Sequence, residues 1–290
     1  MVWSVLGCFG KGESTPALEA TVEPTVILAD AGLIFGQDSA DSTMTGWRLT
    51  DKGVERFQPT GPGSIVAAAT TQDGVVAVAA QQNGASPQLW WSTSEGWTEG
   101  EPIAHGPINQ LLASPDGALW TEGDGGVYRT ADEGKNWTRM DIPADLHLGA
   151  SKLGEHEGRV VFAGRTLVAS TDNGTSWTTL YDGKVSTTDG VWVAEQTSKP
   201  SLRIGRIGTD GVEWTGEIEG AWVAASIAGS ATAVRVVATK QLSTEVVLLS
   251  GDPHGKGLSV SRVYRSQPEW VGLGEKVLWM DIKRRLHTDP

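Results

Sequence analysis

Short apolar runs recur along the chain, and each follows a turn that contains Gly or a small polar residue. The seven turns are Ala31-Gly32, Asp73-Gly74, Asp116-Gly117, Glu157-Gly158, Asp189-Gly190, Gly229-Ser230 and Gly274-Glu275. Asp-Gly between two apolar runs predicts a β-hairpin, because Gly readily adopts the positive φ that the turn requires. No long apolar stripe with a 3.6-residue period is present, so we expect little helix.

The turns recur at nearly regular intervals. Successive turn glycines are separated by 42, 43, 41, 32, 39 and 45 residues. A period near 40 built from short strands is typical of β-propeller blades. We therefore predict an all-β fold, a β-propeller with seven blades of four antiparallel strands, and a ring of six blades is the alternative.

We expect residues 17–290 to form this single propeller domain. The residues after Pro268 supply only two or three strands, so the last blade lacks an outer strand. The extended residues 17–23 precede the first blade and are predicted to complete the last one. Closure by this N-terminal strand would remove two open sheet edges.

A second repeat marks the later part of each unit. Residues 130–137 and 170–177 both match Ser/Thr-x-Asp-x-Gly-x-x-Trp, and weaker copies begin at residues 49, 92, 207 and 250. The pattern resembles the Asp box of BNR-repeat propellers, a superfamily that includes sialidases, sortilin-like receptors, some glycoside hydrolases and photosystem assembly factors. The motif residues are Thr130, Asp132, Gly134, Trp137, Ser170, Asp172, Gly174 and Trp177.

The resemblance implies that each box joins the third and fourth strands of a blade, away from the catalytic face. Its chemistry is local, since Asp accepts hydrogen bonds from nearby backbone N–H groups and Gly takes the left-handed conformation. The Trp is expected to fill the space between blades. The boxes therefore predict a fold and not a reaction.

Common catalytic and cofactor motifs are absent from the sequence, including Gly-x-Ser-x-Gly, the P-loop, His-Glu-x-x-His and the dinucleotide fingerprint. We assign no catalytic, metal-binding or cofactor-binding residue and expect no cofactor. The resemblance to sialidases implies an arginine triad, a Tyr–Glu pair and an Asp acid/base, and the tyrosines that could serve are Tyr128, Tyr181 and Tyr264. The Arg-Ile-Pro segment usual near the start of a sialidase is missing.

We therefore expect a non-catalytic propeller that binds a protein or a glycan rather than an enzyme. The alternative is a glycoside hydrolase, sialidase-like or with two carboxylates, that has a degenerate site. Trp90 and Trp91 are the candidates for stacking on a ligand. Adjacent strand residues point to opposite faces, so both indoles are also candidates for the core.

Charge and the amino end add expectations about partners and location. The net charge is −12, which disfavours nucleic acid and docking on anionic lipid by charge alone, and we expect a monomer. Val5-Leu6-Gly7-Cys8 resembles a bacterial lipobox, so Cys8 is a candidate for lipidation and residues 1–16 for a signal remnant or lipid-tether linker. We expect an extracytoplasmic protein, in the periplasm or at the cell surface, whose membrane contact is a lipid anchor. No basic residue precedes Cys8, so either the start lies upstream or Cys8 is an ordinary thiol.

Overall fold

The computed structural model describes most of the chain between residues 22 and 289. The described residues are 22–28, 33–38, 44–50, 53–57, 64–81, 85–93, 96–103, 105–106, 108, 110–123, 126–143, 152–230, 232–241, 245–264, 270–273, 277–280 and 286–289. Every helix or strand assigned within these ranges is a β-strand, which confirms the all-β prediction. The described part of the chain contains no helix that is long and apolar enough to cross a membrane.

The strands pair into antiparallel sheets, each strand with the next one along the chain. Sheet 1 contains β1 (Val22–Leu28), β2 (Leu33–Asp38), β3 (Met44–Thr50) and β4 (Gly53–Phe57). Sheet 2 contains β5 (Ser64–Thr70), β6 (Val76–Gln81), β7 (Gln88–Thr93) and β8 (Gly96–Pro102). Sheet 3 contains β9 (Leu111–Ala113), β10 (Leu119–Gly123), β11 (Gly126–Thr130) and β12 (Thr138–Met140).

The remaining sheets follow the same order. Sheet 4 contains β13 (Lys152–His156), β14 (Arg159–Ala163), β15 (Leu167–Ser170) and β16 (Thr178–Tyr181). Sheet 5 contains β17 (Thr187–Thr188), β18 (Trp192–Gln196), β19 (Ser201–Ile207) and β20 (Val212–Glu219). Sheet 6 contains β21 (Trp222–Gly229), β22 (Val234–Lys240), β23 (Val246–Gly251) and β24 (Ser259–Tyr264). Sheet 7 contains β25 (Trp270–Leu273), β26 (Val277–Met280) and β27 (Leu286–Asp289).

The chain divides into two compact units. Unit 1 comprises residues 1–139 and 268–290, and unit 2 comprises residues 140–267. Within unit 1 the first strands of sheets 1, 2 and 3 lie next to one another, and β25 of sheet 7 lies next to β1. Within unit 2 the first strands of sheets 4, 5 and 6 follow one another in the same way.

Only residues 22 and 23 of the predicted closing strand are among the described residues. Residues 17–21 lie outside the described residues, and Val22 and Glu23 belong to β1, where they pair with Asp38 and Gln37. Both residues are therefore strand residues of sheet 1 in the described structure, and closure of the last sheet by residues 17–23 stays a prediction. The pairing of β1 with β2 continues on both sides of an irregularity between Pro24 and Val26. Sheet 7 has three strands among the described residues.

The core of unit 1 lies between neighbouring sheets. Every residue of β6 from Val76 to Ala80 is buried, because the strand is covered on both faces. Val76 and Val78 pack with Phe35 in the cluster between sheets 1 and 2. The alternate residues of the strand, Ala77 and Ala79, pack in the cluster between sheets 2 and 3. A continuous apolar run therefore serves two cores, since successive side chains point to opposite faces.

Unit 2 is built in the same way. The cluster between sheets 4 and 5 includes Val161, Leu167 and Val193. The cluster between sheets 5 and 6 includes Ala194, Leu202 and Val236 among other residues. Val193 and Ala194 are neighbours on β18, so this strand also contributes to both cores.

The hairpin turns predicted from the sequence join the first and second strands of their sheets. This holds for the turns at Gly74, Gly117, Gly158, Gly190 and Gly229, and Gly32 and Gly274 lie outside the described residues. In sheet 3 the Ser114 amide donates to the Ala118 carbonyl at 2.9 Å, and Ser114 Oγ donates to Asp116 Oδ1 at 2.6 Å. The turn residues thus satisfy their own polar groups, as Asp and Ser commonly do in turns.

Candidate functional site

Residues 130–137 and 170–177, called here the Asp turns, join the third and fourth strands of sheets 3 and 4. In the first turn, Thr130 Oγ1 donates to Asp132 Oδ1 at 2.8 Å. The Gly134 amide donates to Thr130 Oγ1 at 3.0 Å, and the Asn136 amide donates to Asp132 Oδ1 at 2.9 Å. Asn136 Nδ2 also donates to Asp132 Oδ2 at 2.7 Å. The Asp side chain therefore closes the turn on itself.

The second Asp turn repeats these hydrogen bonds. Ser170 Oγ donates to Asp172 Oδ1 at 2.8 Å, the Gly174 amide to Ser170 Oγ at 2.8 Å, and the Ser176 amide to Asp172 Oδ1 at 2.9 Å. The side-chain hydrogen bond from Ser176, with the backbone bond from the same residue, lowers the pKa of Asp172 to about 2. The corresponding bonds from Asn136 lower the pKa of Asp132 to about 2. Both carboxylates are therefore committed to the turn as anions.

The backbone of each Asp turn has one feature that the motif did not predict. Gly134 and Gly174 have φ of 89° and 84°, as expected for the left-handed conformation. The residues before them, Glu133 and Asn173, also have positive φ, 61° and 58°. Two consecutive left-handed residues are unusual for a chain of L-amino acids, so the Asp hydrogen bonds must hold them in place.

Trp137 directly precedes β12 and packs, partly buried, against the cluster between sheets 2 and 3. Leu89 belongs to the same cluster, and its Cδ2 lies 2.6 Å from where a Cβ on Gly134 would stand. Trp177 occupies the corresponding position before β16 and is also partly buried. The Trp of the motif thus lies just before the fourth strand and not within it.

Trp90 and Trp91 lie on opposite faces of β7 and do not form one shared platform. Trp91 packs against the cluster between sheets 2 and 3, and its Nε1 donates to the Glu133 carbonyl at 3.1 Å. Trp90 packs against the cluster between sheets 1 and 2, and its Nε1 is buried. Trp91 therefore supports the Asp turn of the neighbouring sheet.

A third turn of the same kind occurs at Asp252, between β23 and β24. Asp252 Oδ1 accepts from the Lys256 amide at 2.8 Å, the same bond from the fourth following residue as in the Asp turns. It also accepts from the His254 amide at 2.8 Å. The pKa of Asp252 is lowered, and the hydrogen bond from the Lys256 amide is the largest cause. The weak copy in the sequence lacks the aromatic residue but keeps the hydrogen-bonded Asp.

Tyr181, Glu195 and Arg203 form a charged cluster between sheets 4 and 5. The Tyr181 hydroxyl donates to Glu195 Oε1 at 2.9 Å, and Arg203 Nε donates to Glu195 Oε2 at 2.6 Å. Arg203 Nη2 donates to the Tyr181 hydroxyl oxygen at 2.7 Å. The guanidinium carbon lies 3.8 Å from the ring centre of Trp214, an attractive cation–π geometry. The structure thus brings one of the three tyrosines to a glutamate and an arginine.

The cluster has the chemistry of a structural clamp. Burial first, and then the Glu195 carboxylate, raise the pKa of Tyr181, which disfavours a phenolate nucleophile. The hydrogen bonds of Tyr181 and Glu195 are directed to each other and to Arg203. Tyr181 lies at the end of β16, the fourth strand of its sheet. Tyr128 instead stacks on His105, with ring centres 3.7 Å apart, and the side chain of Tyr264 lies outside the described part of the structure.

An open cleft of about 460 Å³ lies in unit 2, at the turn ends of sheets 4 and 5. It is formed by the β13–β14 turn, the start of β18 and the β19–β20 turn. Its lining residues are His156, Glu157, Arg159, Val191, Arg206, Ile207, Gly208, Thr209 and Glu213. Within each of these antiparallel sheets the first–second and third–fourth connections share one end. The cleft therefore lies at the same sheet end as the Asp turns.

Arg159 and Arg206 are the main charged groups of the cleft. Arg159 Nη1 donates to the Gly208 carbonyl at 2.7 Å and Nη2 to the Ile207 carbonyl at 3.4 Å, which joins the β13–β14 hairpin to the β19–β20 turn. Arg206 is exposed, and its guanidinium has no hydrogen bond or ion pair within the described residues. Sequence reasoning missed both arginines, which are separated by 47 residues.

The lipidation candidate and the cluster around His156 complete the description of the candidate residues. Cys8 lies outside the described residues. Within the described ranges, no three His, Cys, Asp or Glu side chains converge in the way that a metal site requires. His156 lines the cleft beside Glu157, and its Nε2 lies 3.8 Å from Glu157 Oε1.

No protein-family model and no curated protein matches the chain. Solved structures do match it along nearly its full length. A catalytically inactive virginiamycin B lyase from Staphylococcus aureus with quinupristin is 16% identical, with a TM-score of 0.60, over 93% of this chain and 96% of that one. The Cps50 (Swd1) beta-propeller domain of Myceliophteria thermophila is 11% identical, with a TM-score of 0.62, over 94% and 98%. The chain has the β-propeller fold.

A third structure is similar to this propeller over its whole length. YCF48 bound to D1 peptide is 14% identical, with a TM-score of 0.61, over 100% of this chain and 98% of that one. The propellers that resemble this chain thus include an enzyme and a peptide-bound protein. Their likeness establishes the fold, and the function must be argued from the sites of this propeller.

Proposed function

We propose that this propeller is a non-catalytic protein that binds a segment of a partner protein in the cleft of unit 2. The observation that carries the proposal is the cleft itself, which combines charged residues with the partly buried Val191. Its volume of about 460 Å³ lies within the usual range for ligand sites. A similar propeller, YCF48, is known with a peptide bound.

The position of the cleft favours binding over catalysis. The resemblance to Asp-box propellers, which remains part of this proposal, implies that the boxes lie away from the catalytic face. The cleft lies at the same sheet end as the Asp turns, so it is not where that superfamily would carry a reaction. A glycan remains the alternative ligand, although Trp90 and Trp91 pack against clusters between sheets.

A glycoside hydrolase is the second candidate, and the Tyr181–Glu195 pair is the observation that favours it. The raised pKa of Tyr181 and the closed hydrogen bonds of the cluster argue for the structural role. A hydrolysis screen separates the two. We expect no turnover of sialosides or β-glucans, whereas saturable hydrolysis that is lost in Glu195→Gln would establish the hydrolase.

Peptide display on the immobilised protein tests the binding function. Thr209→Trp fills the cleft with a bulky ring, and Thr179→Trp places the same ring on exposed β16 as a matched control. Peptides selected on the wild type should lose binding to Thr209→Trp and keep it to Thr179→Trp. Failure to select any peptide above background, or equal binding by the two variants, would contradict the proposal.

The location belongs to the same proposal. The lipobox-like segment Val5-Leu6-Gly7-Cys8 supports an exported protein that is anchored through a lipid on Cys8. The acidic net charge of −12 supports an anchor of this kind over electrostatic attachment to anionic lipid. The partner would then be a protein outside the cytoplasm.

A further inference from the structure

The charges of the cleft indicate which group of a partner would bind there, if the proposed function holds. Three basic side chains line it, those of His156, Arg159 and Arg206, together with two acidic ones, Glu157 and Glu213. Counted formally, the two arginines balance the two glutamates, so the cleft is close to neutral in a chain with a net charge of −12. Arginine forks match carboxylates and phosphates in two parallel hydrogen bonds.

Arg159 is already fixed in place. Its two donations to the carbonyls of Gly208 and Ile207 immobilise the guanidinium at the wall of the cleft. A guanidinium carries five N–H donors, so about three remain after these two bonds. Ordering this side chain therefore costs little when a ligand binds, which is how a preorganised site gains affinity.

Arg206 is free to complete the site. It stands opposite Glu213 in the pairing of β19 with β20, yet no ion pair joins them among the described residues. A guanidinium without an internal partner in the described structure, beside one that is anchored, offers two forks to an incoming anion. Both arginines come from turn ends of neighbouring sheets, so their separation is set by the packing of sheets 4 and 5.

The acidic residues limit the charge that the cleft can accept. The side chain of Glu157 is 84% exposed and lies near His156 at the rim of the cleft. Glu213 is exposed as well. Like charges repel over these short distances, and the repulsion grows with the charge of the ligand. A singly charged carboxylate is therefore favoured over a phosphate, which carries about −1.5 to −2 at neutral pH.

We propose that the cleft binds one carboxylate of the partner protein, held between Arg159 and Arg206. The carboxylate comes from an Asp or Glu side chain or from the carboxyl end of the partner chain. Val191, which is partly buried and also lines the cleft, would contact the apolar part of the same segment. The inference rests on the proposed function and adds the chemical group that is recognised.

Labelled synthetic peptides test the inference. Each sequence from the display selection is made with its acidic residue intact, with Asn or Gln in its place, with phosphoserine in its place, and with a free or amidated carboxyl end. Binding is measured by fluorescence anisotropy to the wild type, Arg206→Gln and Arg165→Gln. Arg165 is exposed at the opposite end of sheet 4, so Arg165→Gln makes the same charge change away from the cleft.

We expect the acidic peptides to bind at least about tenfold more tightly than their amide versions, as for a charge-assisted hydrogen bond. Arg206→Gln should remove this difference, and Arg165→Gln should keep it. The free-end and amidated peptides then show whether a side chain or a chain end supplies the carboxylate. Equal binding of the acidic and amide peptides, tighter binding of phosphoserine, or an equal loss in Arg165→Gln would overturn the inference. Failure of the wild type to bind any peptide would instead refute the proposed function.

Discussion

Adding one methyl group at Gly154 tests the packing between sheets 4 and 5. Gly154 lies on β13 and is buried against the β17–β18 turn. In Gly154→Ala the new Cβ would lie 2.7 Å from Gly190 Cα and 2.8 Å from the Asp189 carbonyl carbon, and it would overlap the Gly190 amide nitrogen. These are backbone atoms, so no side chain can rotate out of the way.

The turn has little freedom to move back. Asp189 Oδ1 accepts from the Trp192 amide at 2.6 Å, and Asp189 Oδ2 accepts from the Gly229 amide of sheet 6 at 2.9 Å. Forced insertion of a methyl group into such a contact typically costs about 1–3 kcal/mol. Replacing Gly by Ala also restricts the unfolded chain, which stabilises the folded state by about 0.4–1 kcal/mol. We therefore expect a net destabilisation of about 1–2 kcal/mol.

Urea unfolding followed by circular dichroism measures this change, and Gly208→Ala is the matched control. The Cβ added at Gly208 would lie 3.4 Å from the Gly211 carbonyl oxygen, an ordinary contact, so the control should stay within about 0.5 kcal/mol of wild type. If Gly154→Ala unfolds at the wild-type midpoint, the packing described for the two sheets is wrong.

Three further predictions concern the Asp turns, the core and the amino end. Because the folded pKa of Asp132 and Asp172 is about 2, below the ordinary value of 3.8, their contribution to stability is present above about pH 4 and lost as the pH falls towards 2. The urea midpoint of wild type should therefore fall across this window more steeply than that of Asp132→Asn/Asp172→Asn, and equal slopes would contradict the assignment. Trp120→Ala should cost about 3–5 kcal/mol because the side chain is fully buried, and Trp137→Ala should cost less because it is only partly buried, as urea titrations of both would show. Cys8→Ser should abolish partitioning into detergent of the protein expressed with its native upstream sequence, and mass spectrometry showing an unmodified residue 1 in native protein would contradict lipidation.

The fold was predictable because its signals are local. The turns at Asp73-Gly74 and Asp116-Gly117 are held by hydrogen bonds among neighbouring residues, so a short stretch of sequence is enough to predict each turn. The same holds for the Asp turns, where residues within six positions of one another satisfy their own polar groups. The left-handed residue that precedes the glycine in each turn, Glu133 or Asn173, was not predictable, because neither residue type requires that conformation. The Trp90-Trp91 pair was ambiguous for a related reason, since burial depends on neighbouring sheets.

The cleft was hidden because it arises where one turn departs from the repeat. In sheet 3 the turn Asp116 bonds to Ser114 within the turn, which leaves few groups for a ligand. In the corresponding turn of sheet 4, Glu155 Oε1 accepts a hydrogen bond from the Gly158 amide at 2.7 Å. The tip of this turn carries charged residues. This turn is followed by the shortest interval between turn glycines, 32 residues, which was the available signal. In a protein made of similar units, the residues that recur at equivalent positions maintain the fold. A binding site is therefore best sought at a turn whose charge and spacing both differ from those of the equivalent turns.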